Sequence, residues 1–168
     1  MKKYLILAAL SGFIISLDQW SKLYIHTHFL EGESVSVIQN FFNIMYVRNY
    51  GAAFGLFASM GETFRETFFL SVPPIAAVII LFMLRATPIS DLVSVVALSS
   101  IFAGAIGNYI DRLKYGFVVD FLDFHYFYKA HYPAFNVADI SIVTGICVML
   151  LLEFLNTRAL KKKNARVS

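Results

Sequence analysis

The sequence predicts an all-α integral membrane protein: four transmembrane helices with a small strand-rich extracytoplasmic element at the membrane surface. Three observations predict it. Four apolar stretches lie along the 168 residues, at about 4–25, 67–84, 92–112 and 137–155. Each is close to the ~20 residues that cross ~30 Å of hydrocarbon at a rise of 1.5 Å per residue. Hydrophobic residues make up 58 % of the chain and charged residues 15 %, against about 25 % charged in a soluble domain. The mean hydropathy of +0.67 agrees, and the basic residues gather at the ends of the apolar runs. This pattern excludes a disordered chain, a coiled coil and an ordinary soluble enzyme. A single cysteine, Cys147, excludes a disulfide scaffold. The net charge of +3 reads as membrane topology rather than as a nucleic-acid surface.

Helices are the default for the four stretches, because backbone groups in lipid must satisfy one another within the segment. Lys2 and Lys3 followed by YLILAALSGFII resemble a secretory signal peptide. No convincing small-x-small cleavage site follows, so the segment is expected to remain as the first helix. Pro73 and Pro74 fall inside the second stretch and are expected to kink it or delay its start. The whole chain, 1–168, reads as one membrane domain without internal repeats.

Orientation follows from the basic residues of the connections. Lys2, Lys3, Arg85, Arg158, Lys161, Lys162, Lys163 and Arg166 fall on one side; Arg48, Arg65 and Lys129, counted over 26–66 and 115–136, fall on the other, eight against three. Both termini are therefore expected in the cytoplasm, with connections 26–66 and 113–136 outside. The first of these holds SVSVIQNFFNIMYVRNYGAAFGLF, partly alternating, and reads as strands. The second, rich in Phe and Tyr, reads as an aromatic belt at headgroup level. The KKKNARVS tail reads as a disordered basic end near an anionic leaflet.

Ionisable residues inside membrane helices are expensive and point to function. Asp18 and Lys22, four apart, share a face and can pair. Asn108 and Arg112 do the same, with Gly104 one turn earlier, where a missing side chain lets another helix approach. Asn136 is a good N-cap for the fourth helix, and Asp139 suits its dipole. Bundle stabilisation alone would account for several of these residues. Yet Asp120, just beyond the third helix, and Asp139, at the start of the antiparallel fourth, can meet at one depth. Two adjoining carboxylates cannot both ionise cheaply, so one holds a proton and the other acts as a base. Asp123 is a rival for the first position. His26, His28, His125 and His131 fall at no metal-site spacing and read as interfacial, with no metal or other cofactor expected. Cys147 reads as a packed thiol.

These motifs resemble the bacterial lipoprotein signal peptidase family, signal peptidase II. The resemblance is carried by Asp18-Gln19-x-Ser21-Lys22, Asn49-Tyr50-Gly51-Ala52-Ala53-Phe54-Gly55, and Gly107-Asn108-x-x-Asp111-Arg112. It continues in Gly116-Phe117-Val118-Val119-Asp120-Phe121 and Phe135-Asn136-Val137-Ala138-Asp139. One departure is Ala103-Gly104, where the family commonly has a glycine pair. The resemblance implies an aspartyl endopeptidase of the bacterial cytoplasmic membrane, with Asp120 and Asp139 as catalytic pair. It implies that Asp18, Lys22, Asn49, Gly51, Gly104, Asn108, Arg112, Asn136 and Ala138 line or support the site. The implied partners are membrane lipids and prolipoprotein substrates bearing a diacylglyceryl-cysteine, cut just before that cysteine. The competing class is a four-helix transporter subunit or assembly factor. It would need polar residues through the depth of the bundle, but Glu153 is the only ionisable residue clearly in the cytoplasmic half. A prepilin or presenilin-like protease would carry Gly-x-Gly-Asp, which is absent.

Overall fold

The computed structural model describes residues 1–51, 56–57, 59–127 and 130–164. In order, the elements are α1 (Lys2–His28), β1 (Ser34–Ile38), β2 (Phe42–Asn49), α2 (Glu62–Ala86), α3 (Leu92–Tyr115), β3 (Val118–Tyr126), β4 (Ala130–His131) and α4 (Val137–Asn164). Four helices are long and apolar enough to cross a membrane, and their outward faces carry exposed Phe13, Leu23, Phe82, Val143 and Leu150. Lipid tails are as apolar as these side chains, so close packing of small residues has to hold the helices together. Gly104 on α3 lies against α4: a Cβ there would collide with the Ala138 carbonyl, with Ile142 Cγ1 at 2.6 Å and with Ser141 Oγ at 2.7 Å. Gly145 on α4 returns the fit: a Cβ there would lie 2.6 Å from Ile101 Cγ1 and 2.7 Å from the Ala97 carbonyl.

α3 is the central helix and touches α1, α2 and α4. Its buried stripe includes Val95, Leu98, Ala103, Gly104, Gly107, Asn108 and Asp111. Ile80, Leu84, Val95 and Leu98 form one apolar core, joined by Leu7 of α1 and Met149 of α4. At the same end, Lys3 Nζ donates to the carbonyls of Arg85 (2.7 Å) and Thr87 (2.8 Å), tying the start of α1 to the α2–α3 turn. A second core, Ile25, Tyr46, Phe117, Val119 and Phe121, lies at the opposite end, between α1 and the sheet.

The strands form a sheet in the order β1-β2-β3-β4, with β1–β2, β2–β3 and β3–β4 antiparallel. β2 holds one extra residue against β3: Ile44 pairs with Leu122 but Val47 with Asp120. Side chains alternate faces along a strand. Without the bulge, Asn43 and Asn49 would face one side; with it, Asn43 meets Asp123 and Asn49 meets Asp120. Gly116 ends α3 in the left-handed conformation (φ 77°), its N–H on the Arg112 carbonyl at 3.1 Å. Glycine takes that φ without penalty, so β3 begins two residues later and Asp120 stays close to the bundle.

Several expectations are corrected. α2 starts at Glu62 and runs through Pro73 and Pro74, so the prolines do not delay it. Membrane helices tolerate the lost N–H donors because neighbouring groups compensate. Of the KKKNARVS tail expected to be disordered, residues 161–164 are helical, continuing α4 to Asn164, and 165–168 lie outside the described residues. The 28 residues of α4 reach about 42 Å, past the hydrocarbon, and Arg158, Leu160 and Lys161 are good helix formers. The second aromatic connection contains β3, whose first four residues are all buried. His125, expected at the interface, is buried at 4 % exposure beside Asp123, its Nδ1 3.5 Å from Oδ2. Ala52, Ala53, Phe54 and Gly55 of the first connection lie outside the described residues.

Candidate active site

The ends of α1 and α3, the start of α4 and the adjoining edges of β2 and β3 converge on one polar cluster. Asn136 precedes the first residue of α4, and its side chain does two things. Its Oδ1 accepts the Asp139 N–H at 3.0 Å, while Asp139 Oδ2 accepts the Asn136 N–H at 3.2 Å. This reciprocal pair is a capping box, satisfying donors that a helix start leaves open. The Asn136 Nδ2 then donates to Asp120 Oδ1 at 2.7 Å and to Asn108 Oδ1 at 3.2 Å. One asparagine thus joins the two carboxylates that the sequence singled out.

Each carboxylate oxygen meets a donor. Asp120 Oδ2 accepts Asn49 Nδ2 at 2.9 Å, and Asn49 Oδ1 in turn accepts the Gly51 N–H at 2.9 Å. Asp139 Oδ1 accepts Asn108 Nδ2 at 2.7 Å. The amide of Asn108 is fixed in that orientation because its Oδ1 takes Lys22 Nζ at 2.8 Å. Burial, first, and the neighbouring Asp139 charge, second, push the Asp120 carboxyl up to about 7, against hydrogen bonds from Asn49 and Asn136.

Beneath this pair lies a buried ion cluster. Lys22, 2 % exposed, sits 2.9 Å from Asp18 Oδ2 and 3.1 Å from Asp111 Oδ2. The expected Asp18–Lys22 pair is present, but Lys22 has a second carboxylate partner. The other Asp18 oxygen accepts the Ala138 N–H at 2.8 Å, so α1 supplies an acceptor for the first turn of α4. Ala138 is fully buried and contributes through its backbone. A Cβ at Gly107 would lie 2.7 Å from Asp18 Oδ2 and 3.3 Å from the Ala138 Cβ, so glycine at 107 makes room for the cluster. Asp111 is completed by Gln19 Nε2 at 2.8 Å and the Val119 N–H at 3.1 Å. Burying charges demands this degree of pairing.

Arg112 lies at the edge, its Cζ 4.5 Å from the Phe69 ring centroid, donating through Nη2 to the Gly51 carbonyl at 3.0 Å. It lies within electrostatic reach of Asp139 and Asp120. Gly104 contributes helix approach rather than a contact to either carboxylate. Asp123, the rival, turns to the other side of the sheet, where it accepts Asn43 Nδ2 at 3.0 Å. Sequence reasoning missed the roles of Gln19, Gly107 and Asp111 as partners of the ion cluster. The available signal was that each occurs beside a residue already singled out.

Comparison with known proteins follows the same geometry. The family model described as signal peptidase (SPase) II matches residues 10–155. The lipoprotein signal peptidase of Syntrophus aciditrophicus is 47 % identical over 152 residues, covering 90 % of this chain and 94 % of that one. That of Desulforapulum autotrophicum is 45 % identical over 144 residues, covering 86 % and 88 %. A solved bacterial membrane enzyme superposes with a TM-score of 0.77 at 35 % identity, covering 90 % of this chain and 88 % of that one. With four apolar helices and these relatives, the protein is a multi-pass protein of the inner membrane. By the family model and the breadth of these matches, the chain belongs to the signal peptidase II family of aspartic-type peptidases.

Proposed function

We propose that the protein removes signal peptides from diacylglyceryl-modified prolipoproteins, cutting just before the lipidated cysteine, with Asp120 and Asp139 activating one water. Family membership supports lipoprotein signal-peptide cleavage. The observation that carries the mechanism is the pairing of the two carboxylates through Asn136.

The proton positions follow from the surroundings. Asp120, with its acidity weakened to about 7, holds the shared proton. Asp139 serves as the base, its two oxygens oriented by Asn108 and the Asn136 backbone. Asp139 takes a proton from the water as its oxygen bonds to the scissile carbonyl carbon. Asp120 gives its proton to the carbonyl oxygen, forming a neutral tetrahedral diol. The proton on Asp139 then passes to the leaving nitrogen, the C–N bond breaks, and the diol proton returns to Asp120. The Asn49, Asn108 and Asn136 amides hold the carboxylates in register, so little reorganisation accompanies the charge movement.

The site's place at helix ends suits a substrate with an apolar signal helix and lipid tails. The buried charged side chains Asp18, Lys22, Asp111 and Asp120 gather at this end of the bundle, whereas a transport path would need them throughout. The eight-to-three distribution of basic residues supports the reading that both termini are cytoplasmic and the site lies near the outer face.

Mobility-shift analysis of a diacylglyceryl-modified precursor peptide tests the activity; a wild-type chain that leaves it intact overturns the reading. In a Cys147→Ala background, an impermeant thiol reagent should label a cysteine at position 59 and spare one at 168. The opposite labelling overturns the orientation.

A further inference from the structure

We propose that His26 is a positioning residue: an unprotonated His26 latches the sheet to the end of α1 and holds Asn49 against Asp120. The inference rests on the catalytic reading of Asp120 given above.

The donor order favours an unprotonated Nδ1. Arg48 Nε lies 3.0 Å from the Tyr46 hydroxyl oxygen and 3.2 Å from Glu31 Oε2. A guanidinium can only donate, so the phenol accepts there. With the Arg48 donor taken up on the oxygen, the phenol hydrogen can point at His26 Nδ1, 2.6 Å away, an arrangement that uses the Nδ1 lone pair. Protonating the ring would place a second donor, and a second cation, on the same oxygen. Tyr46 is 2 % exposed, so water does not readily replace the lost acceptor.

The groups facing His26 come from three elements. Lys22, one turn earlier on α1, is committed to Asp18 and Asp111. β2 presents Tyr46 and, behind it, Arg48, which also carries Glu31. The end of α3 presents Tyr115, with ring centroids 4.6 Å apart. Among the described residues no carboxylate pairs with the imidazole, and the phenol it shares already takes the Arg48 guanidinium. Of the side-chain types in this latch, imidazole rather than phenol or guanidinium is the one that can take up a proton on mild acidification.

The mechanical link to the site is short. Tyr46 and Arg48 flank Val47, the residue paired with Asp120, and Arg48 itself pairs with Val119. The next residue, Asn49, donates to Asp120. Releasing Tyr46 from α1 frees the strand end that positions that amide. Acidification should therefore slow cleavage through His26.

The test is the pH profile of diacylglyceryl-peptide cleavage, with each rate normalised to that protein's own value at about pH 7.5. His26→Asn places an uncharged acceptor near the Nδ1 position, and Tyr46→Phe removes the bridge altogether. Going to about pH 5.5 should cost the wild type several-fold more of its rate than His26→Asn, and kcat should carry the difference rather than KM. His26→Phe, which has no acceptor, should already have a reduced kcat at pH 7.5, restored by His26→Asn. Superimposable acid limbs for wild type and His26→Asn overturn the latch; should that variant not fold, Tyr46→Phe carries the same comparison. Asp120→Asn and Asp139→Asn run alongside separate the two ideas. Turnover by either overturns the catalytic reading. Their inactivity together with superimposable acid limbs overturns the latch alone.

Discussion

Asn136 and Asp139 hold each other through two reciprocal hydrogen bonds, of 3.0 and 3.2 Å, at the start of α4. Because Asn136 also donates to Asp120 at 2.7 Å, the atoms that begin the helix are the ones that set the distance between the carboxylates. On the proposed mechanism capping and catalysis share one constellation, so the structural and functional roles of Asp139 are not alternatives. Substitutions can separate them, since an amide can cap a helix but cannot act as a base.

Asp120→Asn and Asp139→Asn are each expected to abolish cleavage, by several orders of magnitude, in folded, membrane-inserted protein. Each new amide would turn hydrogens toward an asparagine that already donates, Asn49 or Asn108, so a moderate fall in melting temperature should accompany the loss. Asp123→Asn should keep most activity, because Asp123 bonds to Asn43 on the other face of the sheet. Peptide turnover and thermal melting on the three variants check this, and substantial turnover by either dyad variant contradicts the mechanism.

The raised Asp120 carboxyl gives a pH dependence of both activity and stability. Its folded value of about 7 exceeds the ordinary 3.8, so between those values the folded chain keeps a proton that the unfolded chain releases. The stabilisation is complete below 3.8 and is lost as pH rises through about 7. Cleavage should decline on the alkaline side through about the same pH, as the acid loses its proton. Melting curves across this range should show the effect in the wild type, with a reduced pH slope in Asp120→Asn. An unchanged slope in the variant counts against the assignment.

Much of this was readable in the sequence, for physical reasons. Length and hydropathy mark the four helices, and four-residue spacing marks Asp18 with Lys22. The remainder depended on tertiary packing. β3 escaped notice because Val118, Val119, Asp120 and Phe121 are all buried, which removes the alternation that announces a strand. The extra residue in β2 that sends Asn43 and Asn49 to opposite faces has no local marker. Nor can spacing reveal that Lys22 meets Asp111, 89 positions away and 3.1 Å distant. The uninterrupted helix through Pro73 and Pro74 likewise reflects context overriding the local preference.

Lys22→Ala should destabilise the chain strongly without moving the cleavage position. It leaves Asp18 and Asp111 buried together and removes the partner that orients Asn108. Removing one member of a buried ion pair costs about 3–5 kcal/mol. Rescue should be poor with Met, which fills the space but leaves the carboxylates uncompensated. Melting temperature and peptide turnover measured on both variants decide; unchanged values for both would show that the cluster carries no weight.

Gly104→Ala tests whether the α3–α4 approach positions the site. The added methyl would meet the Ala138 backbone carbonyl, Ile142 Cγ1 at 2.6 Å and Ser141 Oγ at 2.7 Å. Ile142 and Ser141 can adjust as side chains, but the carbonyl belongs to the first turn of α4 and cannot yield alone. The helix start must move, carrying Ala138 away from Asp18 and Asp139 away from Asn108. Gly145→Ala makes a similar collision, at 2.7 Å from the Ala97 carbonyl and 2.6 Å from Ile101 Cγ1, but farther along α4 from the carboxylates. Both variants should therefore lose stability, by about 1–3 kcal/mol for overpacking of this kind. Gly104→Ala should lose considerably more activity than Gly145→Ala at matched melting temperature. Equal losses of activity would mean that the glycines serve packing alone and that the start of α4 is not held in place for catalysis by this contact.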